Sequence, residues 1–124
     1  MKARNVILPA VAAWGAAAYV IRSRQASKPE YSFRDRAVLI TGGSRGLGLV
    51  LARELASEGA RLAIMARNRE ELKRAADDLR SHGAEVLAIK GDVGDRMQAQ
   101  NAVRQTVERF GRLDLLVNDA GIIQ

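Results

Sequence analysis

A chain of 124 residues fits one domain at most, and 48% hydrophobic with 27% charged side chains is an ordinary globular composition. It has no cysteine and one histidine, His82, which excludes a disulfide scaffold, a zinc ribbon, an iron–sulfur site, a thiol nucleophile and a multi-histidine metal site. The net charge of +6 invites a nucleic-acid reading, which the placement of that charge weakens.

Residues 1–36 hold seven basic side chains against Glu30 and Asp35, whereas the other 88 residues hold thirteen basic and twelve acidic ones. A duplex-binding face needs its excess on the folded part, where phosphates can be neutralised in register, so no nucleic-acid partner is expected. The basic residues flank an uncharged run of sixteen residues, Val6 to Ile21, of which six are alanine. A spanning helix needs about 20 apolar residues, with roughly 17 as the lower limit, so the run is borderline. Lys2 and Arg4 precede it, while Arg22, Arg24 and Lys28 follow, which places the following domain on the cytoplasmic side. Three readings compete: a short uncleaved anchor, a signal peptide cleaved near Ala16-Ala17-Ala18, and a helix packed on a soluble domain. The anchor is preferred, because the rest of the chain calls for a cytosolic nucleotide. The expected organisation is an anchor segment over 1–24, a linker over 25–36 with Pro29, and a folded domain from 37 to 124.

Ala37 to Thr41 is a short apolar, β-branched run that predicts a buried strand. A helix is expected from Leu47 to Glu58, with Leu47, Val50, Leu51 and Leu55 on its apolar face and Gly59 ending it. Arg61 to Ala66 reads as a second strand. Asn68 with Glu71 three residues on forms a capping-box-like start for a helix that runs to Gly83. Glu85 to Lys90 is a third strand, and Asp95 with Gln98 opens a third helix carrying Val103, Val107 and Phe110 and closed by Gly111. Leu113 to Val117 is a fourth strand. Gly59-Ala60-Arg61-Leu62-Ala63-Ile64 recurs, with one extra residue, as Gly83-Ala84-Glu85-Val86-Leu87-Ala88-Ile89. Strands alternating with helices of this length predict right-handed crossovers and a parallel sheet covered on both faces. The expectation is βαβαβαβ: an incomplete Rossmann-type, doubly wound α/β fold.

Thr41-Gly42-Gly43-Ser44-Arg45-Gly46-Leu47-Gly48 lies between the first strand and the first helix. Gly42 permits the turn out of the strand, Gly46 lets backbone amides approach a pyrophosphate, and Gly48 removes a side chain where helix and strand pack. Gly42, Ser44, Arg45, Gly46, Leu47 and Gly48 are therefore candidate phosphate contacts at the positive end of a helix. A kinase-type phosphate loop is excluded, since no Gly-Lys-Ser/Thr follows.

The spacing Gly-x-x-x-Gly-x-Gly after Thr41 resembles the short-chain dehydrogenase/reductase family. Asp92-Val93 after the third strand resembles that family's adenine-contacting element, and Asn118-Asp119-Ala120-Gly121 resembles its Asn-Asn-Ala-Gly motif. The resemblance covers residues 37–124. It implies an oxidoreductase that moves hydride between a nicotinamide dinucleotide and a carbonyl or alcohol, with Asp92, Val93, Asn118, Ala120 and Gly121 as further cofactor contacts. Family members are often homo-oligomers. Asp119 departs from the motif's second Asn, which the family uses to tie neighbouring strands, and a carboxylate cannot donate as an amide does.

An acid at the end of the second strand would bind the ribose 2′-OH of NAD, and an Arg there accommodates the 2′-phosphate of NADP. Here Ala66 is followed by Arg67 and Asn68, and Arg45 stands in the loop. NADP in preference to NAD is expected, with Arg67, Asn68 and Arg45 at the adenosine ribose. His82 reads as a cation near a helix C-terminus. The pairs Glu70-Glu71 and Asp77-Asp78 read as helix surface. The resemblance also implies a Ser and a Tyr with a Lys four residues on as the proton-donating group. Tyr19 leads to Ser23 and Tyr31 to Asp35, so these 124 residues hold no such pair, and no catalytic residue is assigned. The chain therefore reads as the cofactor-binding half of an NADP-dependent oxidoreductase, with a non-catalytic nucleotide-binding fragment as the alternative. An anchor points to a lipophilic substrate, such as a steroid, retinoid or fatty acyl chain.

Overall fold

A computed structural model describes residues 31–119. The expected anchor helix over 6–21, the first half of the expected linker, and Ala120 and Gly121 lie outside the described residues. Among the described residues no helix is long and apolar enough to cross a membrane.

Seven elements alternate along the chain: β1 (Ala37–Thr41), α1 (Gly46–Ser57), β2 (Arg61–Ala66), α2 (Arg69–Ser81), β3 (Val86–Lys90), α3 (Arg96–Phe110) and β4 (Leu115–Asn118). The strands form one sheet in the order β3-β2-β1-β4, and every pairing is parallel. β1 lies between β2 and β4, with Ile40 opposite both Ile64 and Val117. All five β1 residues are buried, as expected of a strand covered on both faces.

Alternation of side chains along the strands sorts the core into two layers. Val38, Ile40, Leu62, Ile64 and Val86 face Ala52 and Leu55 of α1 and Leu72, Ala75, Ala76 and Leu79 of α2. Ala37, Leu39, Ala63, Met65 and Ile89 face Ala102 and Phe110 of α3. The sheet is thus wound on both sides. Each fully buried Leu, Ile or Val contributes about 1.5–3 kcal/mol relative to an exposed one.

Two helix faces differ from the periodicity reading. In α1 Leu47 and Val50 are exposed, and the buried residues are Gly48, Ala52 and Leu55. In α3 Val103 and Val107 stand at the surface, and the buried stripe is Ala102, Thr106 and Phe110, one residue behind. Small residues at i and i+4 let each helix axis approach the sheet closely, which larger side chains would prevent. Thr106 meets the polar cost of burial by donating its hydroxyl to the Ala102 carbonyl at 2.7 Å.

The helix ends are better read from sequence. Asn68 caps α2 by accepting from the Glu71 backbone N–H at 2.9 Å. Asp95 caps α3 by accepting from the N–H groups of Met97 and Gln98, and Gly111 closes it in the left-handed region at φ 79°. The reciprocal half of the expected capping box at α2 is not made. The Glu71 side chain turns instead toward the loop after β1.

Candidate functional site

In a parallel sheet of order β3-β2-β1-β4 the chain winds to one side from β1 and then returns to the other. The strand order therefore reverses between β1 and β4, and a crevice opens beyond their C-terminal ends. Residues 42–48 and Asn118-Asp119 converge there. The ends of β2 and β3 bring Arg67 and Asp92 to the same edge of the sheet.

The glycine-rich loop leaves β1 through Gly42, whose φ is 79° and whose N–H donates to the Met65 carbonyl at 2.8 Å. Gly46 starts α1 with φ 56°, and a Cβ there would meet nothing within 4 Å. Space is open above this residue, as a backbone that is to be approached by a ligand requires. Gly48 is the opposite case, since a Cβ would stand 2.1 Å from the Gly42 oxygen and 3.0 Å from Asp119 Oδ2. Its glycine serves packing of the loop on the helix, and Asp119 is a neighbour of that space that sequence did not specify.

Gly43 has a role the sequence reading missed: a Cβ there would lie 2.9 Å from Ile64 Cγ2. Its signal was the second glycine of the Gly42-Gly43 pair. The loop is pressed onto β2 at that point.

The N-terminus of α1 differs from those of the other two helices. Its N-cap, Arg45, is extended and makes no side-chain cap, and its first turn has no acid. The α2 terminus has Asn68 as cap with Glu70 and Glu71 in the first turn, and α3 has Asp95. An uncapped helix start leaves backbone N–H groups and the positive end of the dipole available to an anion. A dinucleotide pyrophosphate fits this donor set and the open space over Gly46.

Around this terminus Ser44 is buried and donates its hydroxyl to Glu71 Oε1 at 3.1 Å. Arg45 lies 3.7 Å from Glu71 Oε2 and is largely exposed. Glu71 is therefore not an idle surface acid: it links the start of α2 to the loop before α1. Arg67 is exposed and forms no ion pair among the described residues. Asn68 is committed through its side-chain oxygen to capping α2. Leu47 presents its side chain to solvent beside the loop.

At the far ends of β3 and β4 the candidate residues are held by their neighbours. Asp92 Oδ1 accepts from the Gly94 N–H at 2.9 Å, and the Asp92 N–H donates to Gln98 Oε1 at 2.7 Å. Val93 packs against the α3-side core. Asn118 Oδ1 accepts from the Thr41 hydroxyl at 2.8 Å, and the Asp119 N–H donates to the Thr41 carbonyl at 3.1 Å. β1 and β4 are thus bound together at the mouth of the crevice. His82 stays a surface residue, with Nδ1 2.8 Å from the Asp78 carbonyl oxygen at the end of α2.

Comparison with known proteins agrees with this fold. Residues 36–124 match the short chain dehydrogenase family. Levodione reductase of Leifsonia aquatica is 46% identical over 98 residues, 77% of this chain and 37% of that protein. The CLA biosynthesis dehydrogenase/reductase of Lactiplantibacillus plantarum is 40% identical over 90 residues, 73% of this chain and 32% of its own. The chain thus spans about a third of the length of these curated relatives. A short chain dehydrogenase from Burkholderia cenocepacia J2315, solved in complex with NADP, superposes with a TM-score of 0.71 at 37% identity, covering 76% of this chain and 39% of that one.

Proposed function

The chain belongs to the short-chain dehydrogenase family, and from that premise we propose that residues 37–124 form the cofactor-binding part of an NADP-dependent oxidoreductase. The observation that carries this reading is the uncapped start of α1 beneath the open space at Gly46. The N–H groups of Gly46, Leu47 and Gly48 bind the pyrophosphate. Arg67, with Arg45, Ser44 and Asn68 nearby, receives the adenosine ribose and its 2′-phosphate. Asp92 and Val93 border the adenine, Asn118 lies toward the nicotinamide, and Ala120 and Gly121 are carried over from the sequence motif as further cofactor contacts. When bound, the dinucleotide supplies hydride for transfer to or from a carbonyl or alcohol. These residues position it and hold its charge.

No tyrosine of these 124 residues has a lysine four positions on, so no proton donor is assigned among them. The same observation favours a second reading, a nucleotide-binding unit without catalysis. The apolar run over 6–21 and its basic flanks support, from sequence alone, membrane attachment with the folded part facing the cytoplasm and a lipophilic substrate.

The test is to titrate the purified chain with NADPH and NADH by calorimetry, and then to assay it with NADPH and a panel of carbonyl compounds. NADPH is expected to bind more tightly than NADH, with no turnover. Lack of binding by either dinucleotide overturns the reading. Turnover overturns the assignment of the proton donor and the non-catalytic alternative together.

A further inference from the structure

Sequence spacing leaves Glu71 as one of two acids, with Glu70, on the first turn of α2. The structure makes it the only one of them with an assigned contact to the phosphate loop among the described residues. Its two carboxylate oxygens are divided between the two side chains that precede Gly46: Oε1 accepts from the buried Ser44 hydroxyl at 3.1 Å, and Oε2 lies 3.7 Å from the Arg45 guanidinium. The carboxylate itself is about one-quarter exposed, against 81% for Arg45. A negative group therefore already sits where Ser44 and Arg45 offer a donor and a cation.

That position bears on how a dinucleotide is read. A ribose 2′-phosphate brought to Ser44 and Arg45 must draw both away from Glu71 and stand beside its carboxylate. Like charges held side by side repel, and the repulsion grows as the local dielectric falls. A ribose 2′-OH carries no charge, and it can donate to the same carboxylate. We propose that Glu71 is a specificity-determining residue of the dinucleotide site, a resident anion that competes with the 2′-phosphate for Ser44 and Arg45 and so reduces the preference for NADP over NAD. The proposal rests on the dinucleotide-binding reading above.

The test compares wild type, Glu71→Gln and Glu70→Gln, each as the full chain, by calorimetric titration with NADPH and with NADH at low and at high salt. Gln keeps an acceptor for the Ser44 hydroxyl, and the cap from Asn68 uses the backbone N–H of residue 71, so the substitution leaves the local structure its bonds. Glu71→Gln is expected to tighten NADPH about five- to tenfold at low salt and to change NADH less than about twofold, with the gain shrinking as salt is added. Glu70→Gln, the same loss of charge on an exposed neighbour, is expected to leave the NADPH/NADH ratio unchanged. A Glu71→Gln ratio equal to wild type, or equal gains in both Gln variants, overturns the proposal while leaving the dinucleotide reading intact. NADPH weakened by Glu71→Gln overturns it in favour of a role in positioning Arg45. If wild type binds neither dinucleotide, the reading of the site and the proposal fall together.

Discussion

Ala37 and Asp114 are bonded to each other twice: the Ala37 N–H donates to Asp114 Oδ2 at 2.9 Å, and the Asp114 N–H donates to the Ala37 carbonyl at 2.9 Å. This pair sets the register in which β4 lies on β1. The Arg112 guanidinium donates to Asp114 Oδ1 at 2.7 Å, and Arg36 lies 3.7 Å from the same oxygen. The hydrogen bond from Arg112, then that from the Ala37 N–H, hold the Asp114 carboxyl below its ordinary value, with the charges of Arg112 and Arg36 adding to the effect.

A depressed carboxyl stabilises the folded state above its unfolded pKa, and that contribution is lost as pH falls through the folded one. Thermal unfolding followed between about pH 2 and pH 6 should therefore show stability falling below the ordinary carboxylate range near pH 4. Asp114→Asn should flatten part of that fall. Asp77 and Asp95 are also held low, by the Lys73 hydrogen bond and by the Gln98 N–H respectively, and they account for part of what remains. An unchanged acid limb in Asp114→Asn would show that the pair carries no such linkage.

Gly48→Ala should be the most damaging change in the loop, because its Cβ meets a backbone oxygen that no rotamer can move. A stability loss of about 1–3 kcal/mol in urea unfolding is expected from overpacking. Gly46→Ala meets no atom, and its cost is the left-handed backbone alone, about 1–2 kcal/mol. Its larger effect should fall on dinucleotide affinity, since the new methyl occupies the space above the amides. Equal affinity in Gly46→Ala and wild type would argue that the ligand does not approach there.

Arg67→Ala should weaken NADPH binding by about 1.5–3 kcal/mol, the scale of a charge-assisted hydrogen bond, and should leave NADH nearly unchanged. Equal losses for the two dinucleotides would remove Arg67 from the 2′-phosphate.

Asp119 places a carboxylate beside Gly48, in the first turn of α1. An acid at a helix start is favourable by about 0.3–1 kcal/mol, and the same charge opposes a second anion at that terminus. Asp119→Asn should therefore lose stability by about that amount and bind NADPH and NADH more tightly in equal proportion. A change confined to NADPH would place the effect at the ribose instead.

If residues 6–21 anchor the protein, it should remain with membranes after a carbonate wash, and deletion of residues 1–24 should release it. A mature chain beginning near Tyr19 would support cleavage instead.

The strands were legible because β-branched apolar runs between glycines admit few other readings in a chain of this length. β1 and β2 begin and end where the sequence places them. β4 starts at Leu115 and not at Leu113, because Asp114 is spent on Ala37 and Arg112 before the ladder begins. Helix faces were less legible: periodicity locates large apolar residues, whereas close approach to the sheet selected Gly48, Ala52 and Ala102. Glu71 was read as surface because its partners, Ser44 and Arg45, come from 27 and 26 positions earlier, and spacing within one helix carries no information about a loop that arrives from elsewhere. The loop glycines were legible in type and number, but the crowding of Gly43 by Ile64 required the sheet.

The position of β1 has a consequence for synthesis on the ribosome. Its partner on one side, β2, follows after a single helix, but its partner on the other pairs across 77 residues. At translation rates of about 5–20 residues per second, β1 waits roughly 4–15 s for that second partner. During that interval the nascent sheet offers an open strand of five apolar-rich residues to any other chain. The rate at which residues 112–118 emerge, more than the strength of any contact within β1, then decides how long that edge stays open.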